Sequence, residues 1–306
     1  MINKLRKEIT EYFIGKEEVV KNVLICLLAG GHVLLEDVPG VGKTTLAKTI
    51  AGSVDCSFGR IQFTPDTLPG DVVGVSIYNP KTKEFEYREG AVMRQFILAD
   101  EINRTSPKTQ ASLLEAMAEG SVTVDGIRHD LPQPFMVIAT QNPIEFLGTY
   151  PLPEAQMDRF MMKLSIGYPD AQEEKRLARM YAEGRMDEPV RNVITAEELI
   201  GLREETRRVH ISDAVLGYIQ EIVELTRKEE RFVLGASTRA TLFMVSASRA
   251  CAKLEDRDYV KPDDVQQLAV NLLHHRLVLT SEAMLSHDNV DQILNDLIRR
   301  VPVPRE

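Results

Sequence analysis

Three observations in the 306-residue sequence predict an α/β domain with a parallel sheet, followed by a smaller α-helical domain. Apolar runs short enough for buried strands alternate with helix-period stretches up to about residue 167. One strand-to-helix junction, residues 33–45, reads VLLEDVPGVGKTT, the order of strand, phosphate-binding loop and helix. Beyond Tyr168-Pro169-Asp170 only helix-period patterns remain, which places the boundary between residues 1–167 and 168–306.

Residues 3–13 put Leu5, Ile9, Tyr12 and Phe13 on one side of a short helix, and a second helix over about 17–29 is closed by Gly30-Gly31. Val33, Leu34 and Leu35 supply a buried strand, and Leu46, Ala47, Ile50 and Ala51 the apolar stripe of the helix after the loop. Residues 58–63 predict the next strand. Residues 64–90 are richer in Pro, Gly and Asp, with alternating segments at 73–78 and 84–88 around Asn79-Pro80, a hairpin-like insertion outside the core. Residues 96–100 form an apolar run ending in acid, a strand buried on both faces. The helix that follows has Ser106 as its cap, Pro107 in its first turn and Gly120 past its end; Leu113, Leu114 and Met117 are its buried stripe. Asp125-Gly126, between 121–124 and 128–131, signals a hairpin. Residues 135–140 and 161–166 complete the strands. Helices are then expected over 171–184, 195–208, 212–228, 237–253, 262–274 and 288–299, with no internal repeat.

Composition narrows the partners. With 46 Asp plus Glu against 37 Lys plus Arg, the acidic balance disfavours a broad footprint on nucleic acid or anionic membrane. The absence of Trp leaves few stacking platforms for single strands. Cys26, Cys56 and Cys251 lack metal spacing and read as small buried apolar residues in a reducing compartment. The N-terminus, MINKLRKEITEYF, lacks a signal-peptide core, and the longest apolar stretch, 23–35, is too short to span a bilayer. A soluble, cytoplasmic protein without membrane insertion is expected.

Chemistry concentrates at the loop. Gly40 and Gly42 let backbone N–H groups curl around a polyphosphate, Lys43 reaches its β and γ phosphates, and Thr44 offers a hydroxyl to Mg²⁺. The strict pattern has glycine at position 37, where this chain has Asp37. The competing reading is a tight strand-to-helix turn. Asp100, at the end of the 96–100 strand, is placed to serve Mg²⁺ with Thr44, and Glu101 to orient or deprotonate an attacking water; a simple Asp-Glu pair opening a loop is the alternative. Asn142, at the C-terminal edge of its strand, is placed to bond a γ-phosphate or that water, unless it is a turn-forming Asn before Pro143.

EDVPGVGKTT, ILADEINRTSPKTQASLLEAM, VIATQNPIEFLGTYPLPEAQMDRF and GASTRA, in this order and spacing, resemble the MoxR-type AAA+ ATPases over about residues 15–279. Magnesium chelatase ATPase subunits and MCM helicase motors are similar more distantly. The resemblance implies an AAA+ P-loop domain with a helical lid, in which 64–90 is the helix-2 insert and 121–131 the presensor hairpin. It assigns ATP contacts to Ile14 and Gly15 on the adenine side, to Pro39, Gly40, Val41, Gly42, Lys43, Thr44 and Thr45 in the Walker A loop, and to Asp100 in Walker B. Thr44 and Asp100 would serve Mg²⁺. The catalytic set is Glu101, Asn142 as first sensor, Arg159 as the arginine finger reaching a neighbouring subunit, and Arg239 as second sensor. From the residues alone, a helix-end salt bridge with Asp158 or a nearby Glu competes for Arg159. Thr238 stands where the family often has proline.

The resemblance implies a ring, as a hexamer, that hydrolyses ATP to remodel or mature a client protein or complex, with a von Willebrand A-domain protein as a candidate partner. Two other classes compete: an MCM-like nucleic-acid motor using the presensor hairpin, and a nucleotide-switched scaffold with little hydrolysis. The first wants basic residues at the hairpin tip, where Arg128 faces Asp125. Glu101 and Arg159 argue against the second, because both serve hydrolysis more than binding.

Overall fold

The computed structural model describes residues 1–38, 40–143, 148–185 and 190–304. Its chain opens with helices α1 (Ile2–Tyr12) and α2 (Glu17–Ala29). Gly30 closes α2 at φ 73°, its N–H returning to the Cys26 and Leu27 carbonyls, which is the stop that a glycine provides at no Cβ cost. β1 (Val33–Glu36) enters the phosphate loop and α3 (Lys43–Ser53) leaves it. Next come β2 (Val54–Asp55), β3 (Phe58–Gln62), α4 (Pro69–Val73) and the insert hairpin β4 (Gly74–Asn79) and β5 (Glu84–Glu89). β6 (Phe96–Asp100) leads through a 3₁₀ turn at Ile102–Arg104 to α5 (Pro107–Glu119). A second hairpin, β7 (Ser121–Val124) and β8 (Ile127–Asp130), precedes β9 (Met136–Gln141), α6 (Glu154–Met157) and β10 (Met162–Leu164). The remainder is α7 (Ala171–Ala182), β11 (Ile194–Thr195), α8 (Ala196–Arg207), α9 (Asp213–Lys228), β12 (Phe232–Leu234), α10 (Thr238–Leu254), α11 (Pro262–Leu273), β13 (Val278–Leu279), α12 (Ser281–Leu285) and α13 (Val290–Arg300).

The central sheet has order β10-β1-β9-β6-β3, and every pair in it is parallel. Its strands are apolar on both sides because both sides are covered. Val33, Leu35, Phe96, Leu98, Met136 and Ile138 point into one buried cluster, whereas Leu34, Ile97, Ala99, Val137 and Ala139 point into another with α5. The first cluster does not stop at the sheet. It continues through α2 and α3 into buried residues of α8, α9, α10, α11 and α13, such as Leu199, Ile219, Met244, Leu272 and Leu294. The helices after 168 thus share one apolar interior with the sheet's flank, at about 25 cal/mol per Å² of surface removed from water.

Several expectations need adjusting. The last core strand is shorter than 161–166, because Met161 precedes the pairing and Ser165–Gly167 turn away to bind Asp37. The hairpin's second strand begins at Ile127, one residue before the expected 128, because Val124 and Ile127 already pair across a two-residue turn. The helical region also holds small strands: β12 pairs antiparallel with β13, and β11 pairs parallel with β2. Cys26 and Cys251 are buried, but Cys56 is only half-buried, since it follows β2 where the chain turns outward. The two hairpins touch, with the Tyr87 ring stacked on His129 at 3.8 Å between centroids. Where the family often has proline, Thr238 simply begins α10, and the Ser237 hydroxyl caps it by accepting the Ala240 N–H at 3.3 Å.

Candidate nucleotide-binding site

The phosphate loop lies at the C-terminal edge of the sheet, where the residues after β1 turn into α3. Gly40 and Gly42 sit at φ 90° and φ 93°, a region that side-chain-bearing residues avoid. At Gly42 a Cβ would also lie 3.3 Å from the Phe13 ring. Lys43 begins α3 and donates from Nζ to the Asp37 carbonyl oxygen at 2.8 Å. Its partial burial pushes the ammonium pKa below the ordinary lysine value, opposed by the negative charges of Asp100, Asp37 and Glu101. Thr44 and Thr45 follow on α3's first turn, half-buried and exposed respectively. Pro39 falls outside the described residues.

A cleft of about 420 Å³ opens beside the loop. Ile14, Gly15, Gly40, Val41, Gly42 and Thr45 line one side, and Ile166, Gly167, Tyr168 and the α7 residues Glu173, Leu177 and Tyr181 line the other. Its mostly apolar wall suits a flat heterocycle, with the loop's N–H groups at one end for phosphates. The Ile14-Gly15 pair singled out by resemblance therefore borders the same cleft as the phosphate loop.

Asp100 ends β6, two strands from β1 in the sheet, and is buried. Burial would be costly for an unpartnered carboxylate, and the structure supplies partners that the sequence reading did not. Arg60 Nη2 donates to Asp100 Oδ2 at 2.6 Å, and Thr140 Oγ1 donates to Asp100 Oδ1 at 2.7 Å. Glu101 has left-handed backbone, φ 57°, and its N–H donates to the same Thr140 oxygen at 2.8 Å. Strained backbone of this kind at a carboxylate is a common mark of a working site. Gln62 Nε2 and Arg104 Nη1 donate to Glu101 Oε2 at 2.9 and 3.0 Å. Arg60 and Gln62 project together because they are two residues apart on β3, whose Gln62 is in register with Asp100. Asn142, just past β9, is buried, and its carbonyl accepts a bond from Asn103 Nδ2 at 3.4 Å. The hydroxyl of Thr44 and the carboxylate of Asp100 are hard oxygen donors, the set that suits a partly hydrated magnesium ion. Among the described residues no cluster of three His, Cys, Asp or Glu side chains offers another metal site.

Arg159 and Arg239 lie elsewhere. Residues 158–161 precede β10, whose first residue, Met162, is in register with Val33 at the start of β1. They occupy the N-terminal edge of the sheet, opposite the phosphate loop. Arg159 is half-buried there and donates from Nη1 to the Leu114 carbonyl at the back of α5. It borders a second, more polar cleft of about 520 Å³ with Glu115, Glu119, Gln156 and Arg128. The competing salt bridge of Arg159 with Asp158 does not form, because Asp158 is engaged by the lid. Its carboxylate accepts Ser237 Oγ at 2.9 Å, Arg239 Nη1 at 3.0 Å and Arg276 Nε at 2.9 Å. Arg276 is almost fully buried and also donates to the Phe160 and Met161 carbonyls; burial lowers its pKa to about 10, opposed by Asp158. The structure thus brings Lys43, Thr44, Asp100 and Glu101 to one edge, and Arg159 with Arg239 to the other.

Comparison with known proteins agrees with this fold. The profile of the ATPase family associated with various cellular activities (AAA) matches residues 32–162, and that of the AAA lid domain matches residues 224–297. The chain is 49% identical over 304 residues to Bacillus subtilis YeaC, covering 99% of this chain and 95% of that one. It is 40% identical over 307 residues to the chaperone MoxR1 of Mycobacterium tuberculosis, covering 97% and 81%. A crystal structure of a candidate ATPase from Cytophaga hutchinsonii superposes with TM-score 0.92 at 39% identity, covering 99% of this chain and 95% of that one.

Proposed function

The chain belongs to the MoxR-type AAA+ ATPases, and from that premise we propose that it hydrolyses ATP with magnesium in a ring, as a hexamer, to remodel or mature client proteins. The observation that carries the reading is the division of the site between opposite edges of one sheet. With Arg159 as the finger and Arg239 as the second sensor, their position at the edge opposite the loop supports a site completed by a neighbour. Adenine fills the apolar cleft, the loop N–H groups and Lys43 hold the phosphates, and Thr44 with Asp100 hold the ion. When bound, magnesium neutralises charge on the phosphate oxygens. Glu101 orients and deprotonates the attacking water, Asn142 positions it, and the neighbour's Arg159 and Arg239 meet charge developing on the γ-phosphate.

The client is a protein or protein complex. The chaperone description of the M. tuberculosis relative supports this, and a von Willebrand A-domain partner is the candidate that the family suggests. A cytoplasmic setting fits the reading, and no helix among the described residues is long and apolar enough to cross a membrane. Nothing in the hairpin favours nucleic acid: Arg128, beside its tip, is paired with Asp130 at 3.0 Å. Glu101→Gln tests the core of the proposal. It is expected to retain ATP binding and lose turnover by at least about a hundredfold, the usual worth of a general base. Steady-state hydrolysis at the native rate would remove Glu101 from that role.

A further inference from the structure

Asp37 occupies the position where the strict phosphate-loop pattern has glycine. The left-handed non-glycine residues among those described are Lys83, Glu101, Asp125, Asp256 and His287, so the backbone at 37 does not call for glycine. What the position does use is its carboxylate. Asp37 is 6% exposed, and its two oxygens accept the Ile166 N–H at 2.6 Å, the Gly167 N–H at 3.0 Å and the Ser165 hydroxyl at 2.9 Å. All three donors belong to the short segment that leaves β10 and, through Tyr168 and Pro169, enters α7. A glycine would leave two backbone N–H groups without that acceptor. The same residue's carbonyl is the acceptor for Lys43 Nζ.

Asp37 therefore stands between the lysine that must meet phosphate and the segment that walls the base cleft. We propose that Asp37 is a positioning residue that couples the phosphate state of the loop to residues 165–169 and so to α7. The coupling rests on the nucleotide reading above and adds a route by which that site governs the lid. When ATP enters, the Lys43 ammonium exchanges the Asp37 carbonyl for β- and γ-phosphate oxygens, whereas with ADP, which lacks the γ-phosphate, it keeps that carbonyl as a partner. The Asp37 peptide loses its donor and settles into a new position. Its carboxylate, joined to Ile166 and Gly167 by short charge-assisted bonds, draws that segment with it. An Asp37 that merely braced the fold would hold these bonds alike whatever phosphates are bound, and would affect ADP and ATP complexes equally.

The chain contains no tryptophan, so Tyr168→Trp, at an exposed residue of this segment, introduces a single fluorophore. In a Glu101→Gln background, ADP and ATP place the same base in the cleft and differ only at the γ-phosphate. With Asp37 present, the emission at saturating Mg-ADP and Mg-ATP should differ. With Asp37→Gly, at nucleotide concentrations that calorimetry shows to be saturating, the ADP–ATP emission difference should shrink at least about fivefold. An undiminished difference in Asp37→Gly, or no difference with Asp37 in place, overturns the coupling. If the glycine variant does not fold, Asp37→Asn keeps one acceptor oxygen and should shrink the difference partly; an unchanged difference there is equally fatal. Failure of the parent to bind either nucleotide would instead defeat the nucleotide reading itself.

Discussion

Mixing two inactive variants measures whether the site is shared between subunits. Lys43→Ala removes the ammonium at the C-terminal edge of the sheet, and Arg159→Ala removes the guanidinium at the N-terminal edge. Val33 is in register with Met162, and Asp37 lies four residues further along the strand direction. At about 3.3 Å per residue that is about 13 Å, before the loop leading to Lys43 is added. Alone, Arg159→Ala should lose about 10³–10⁵ in hydrolysis, the worth of an arginine finger. In random rings with a fraction x of Lys43→Ala subunits, an intact loop meets an intact arginine at a fraction x(1 − x) of interfaces. Phosphate release at constant total protein should then rise from near zero at either end to roughly a quarter of the native rate at equal amounts. Size-exclusion profiles with ATP should show that both variants assemble. A mixture no more active than its components, when both co-assemble, would refute the shared site. Near-native activity of Arg159→Ala alone would mean that another residue supplies the positive charge.

Other perturbations probe the surrounding network. Arg276→Met leaves Asp158 without its buried partner and should cost about 3–5 kcal/mol in urea unfolding, with loss of hydrolysis beyond that of an equally destabilised control. Arg60→Ala frees Asp100 from a half-exposed guanidinium and should lower the half-saturating Mg²⁺ concentration about two- to fivefold; a rise would show that Arg60 assists ion loading. His32 is buried with Nδ1 accepting the Val137 N–H, so its Nε2 carries the proton toward the Met117 carbonyl and the ring is neutral. Burial pushes its pKa down from 6.5 to about 4. That contribution is fully present above pH 6.5 and is lost as pH falls toward 4, about 3 kcal/mol in all. Urea midpoints at pH 7.5 and 5 should therefore differ less in His32→Gln than in the native chain.

The parts of the site carried by local sequence were legible. Lys43, Thr44, Asp100 and Glu101 sit in runs whose period and punctuation fix strand, loop and helix within about ten residues. Arg60 and Gln62 were not, because they matter only through the register of β3 on β6, some forty positions away in the chain. Asp158 shows the same limit. Its neighbour Arg159 was one candidate partner, yet the donors it takes come from 79, 81 and 118 residues away. The oddity of Asp37 was visible as a mismatch, but its purpose needed the fold that brings residues 165–167 alongside. Strands β12 and β13 have three and two residues and fall below any readable alternation.

The apolar interior shared by the sheet's α2 flank and the later helices bears on how this molecule can be divided. A cut at Tyr168 follows the change in sequence pattern but runs across packed side chains. The N-terminal piece would bare Val20, Leu24 and Leu27, and the C-terminal piece the facing sides of α8 and α10. Each fragment expressed alone should therefore aggregate or need a solubilising partner, while the two co-expressed should find each other again. Packing of this extent favours sliding of packed helices over a hinge opening in the intact chain.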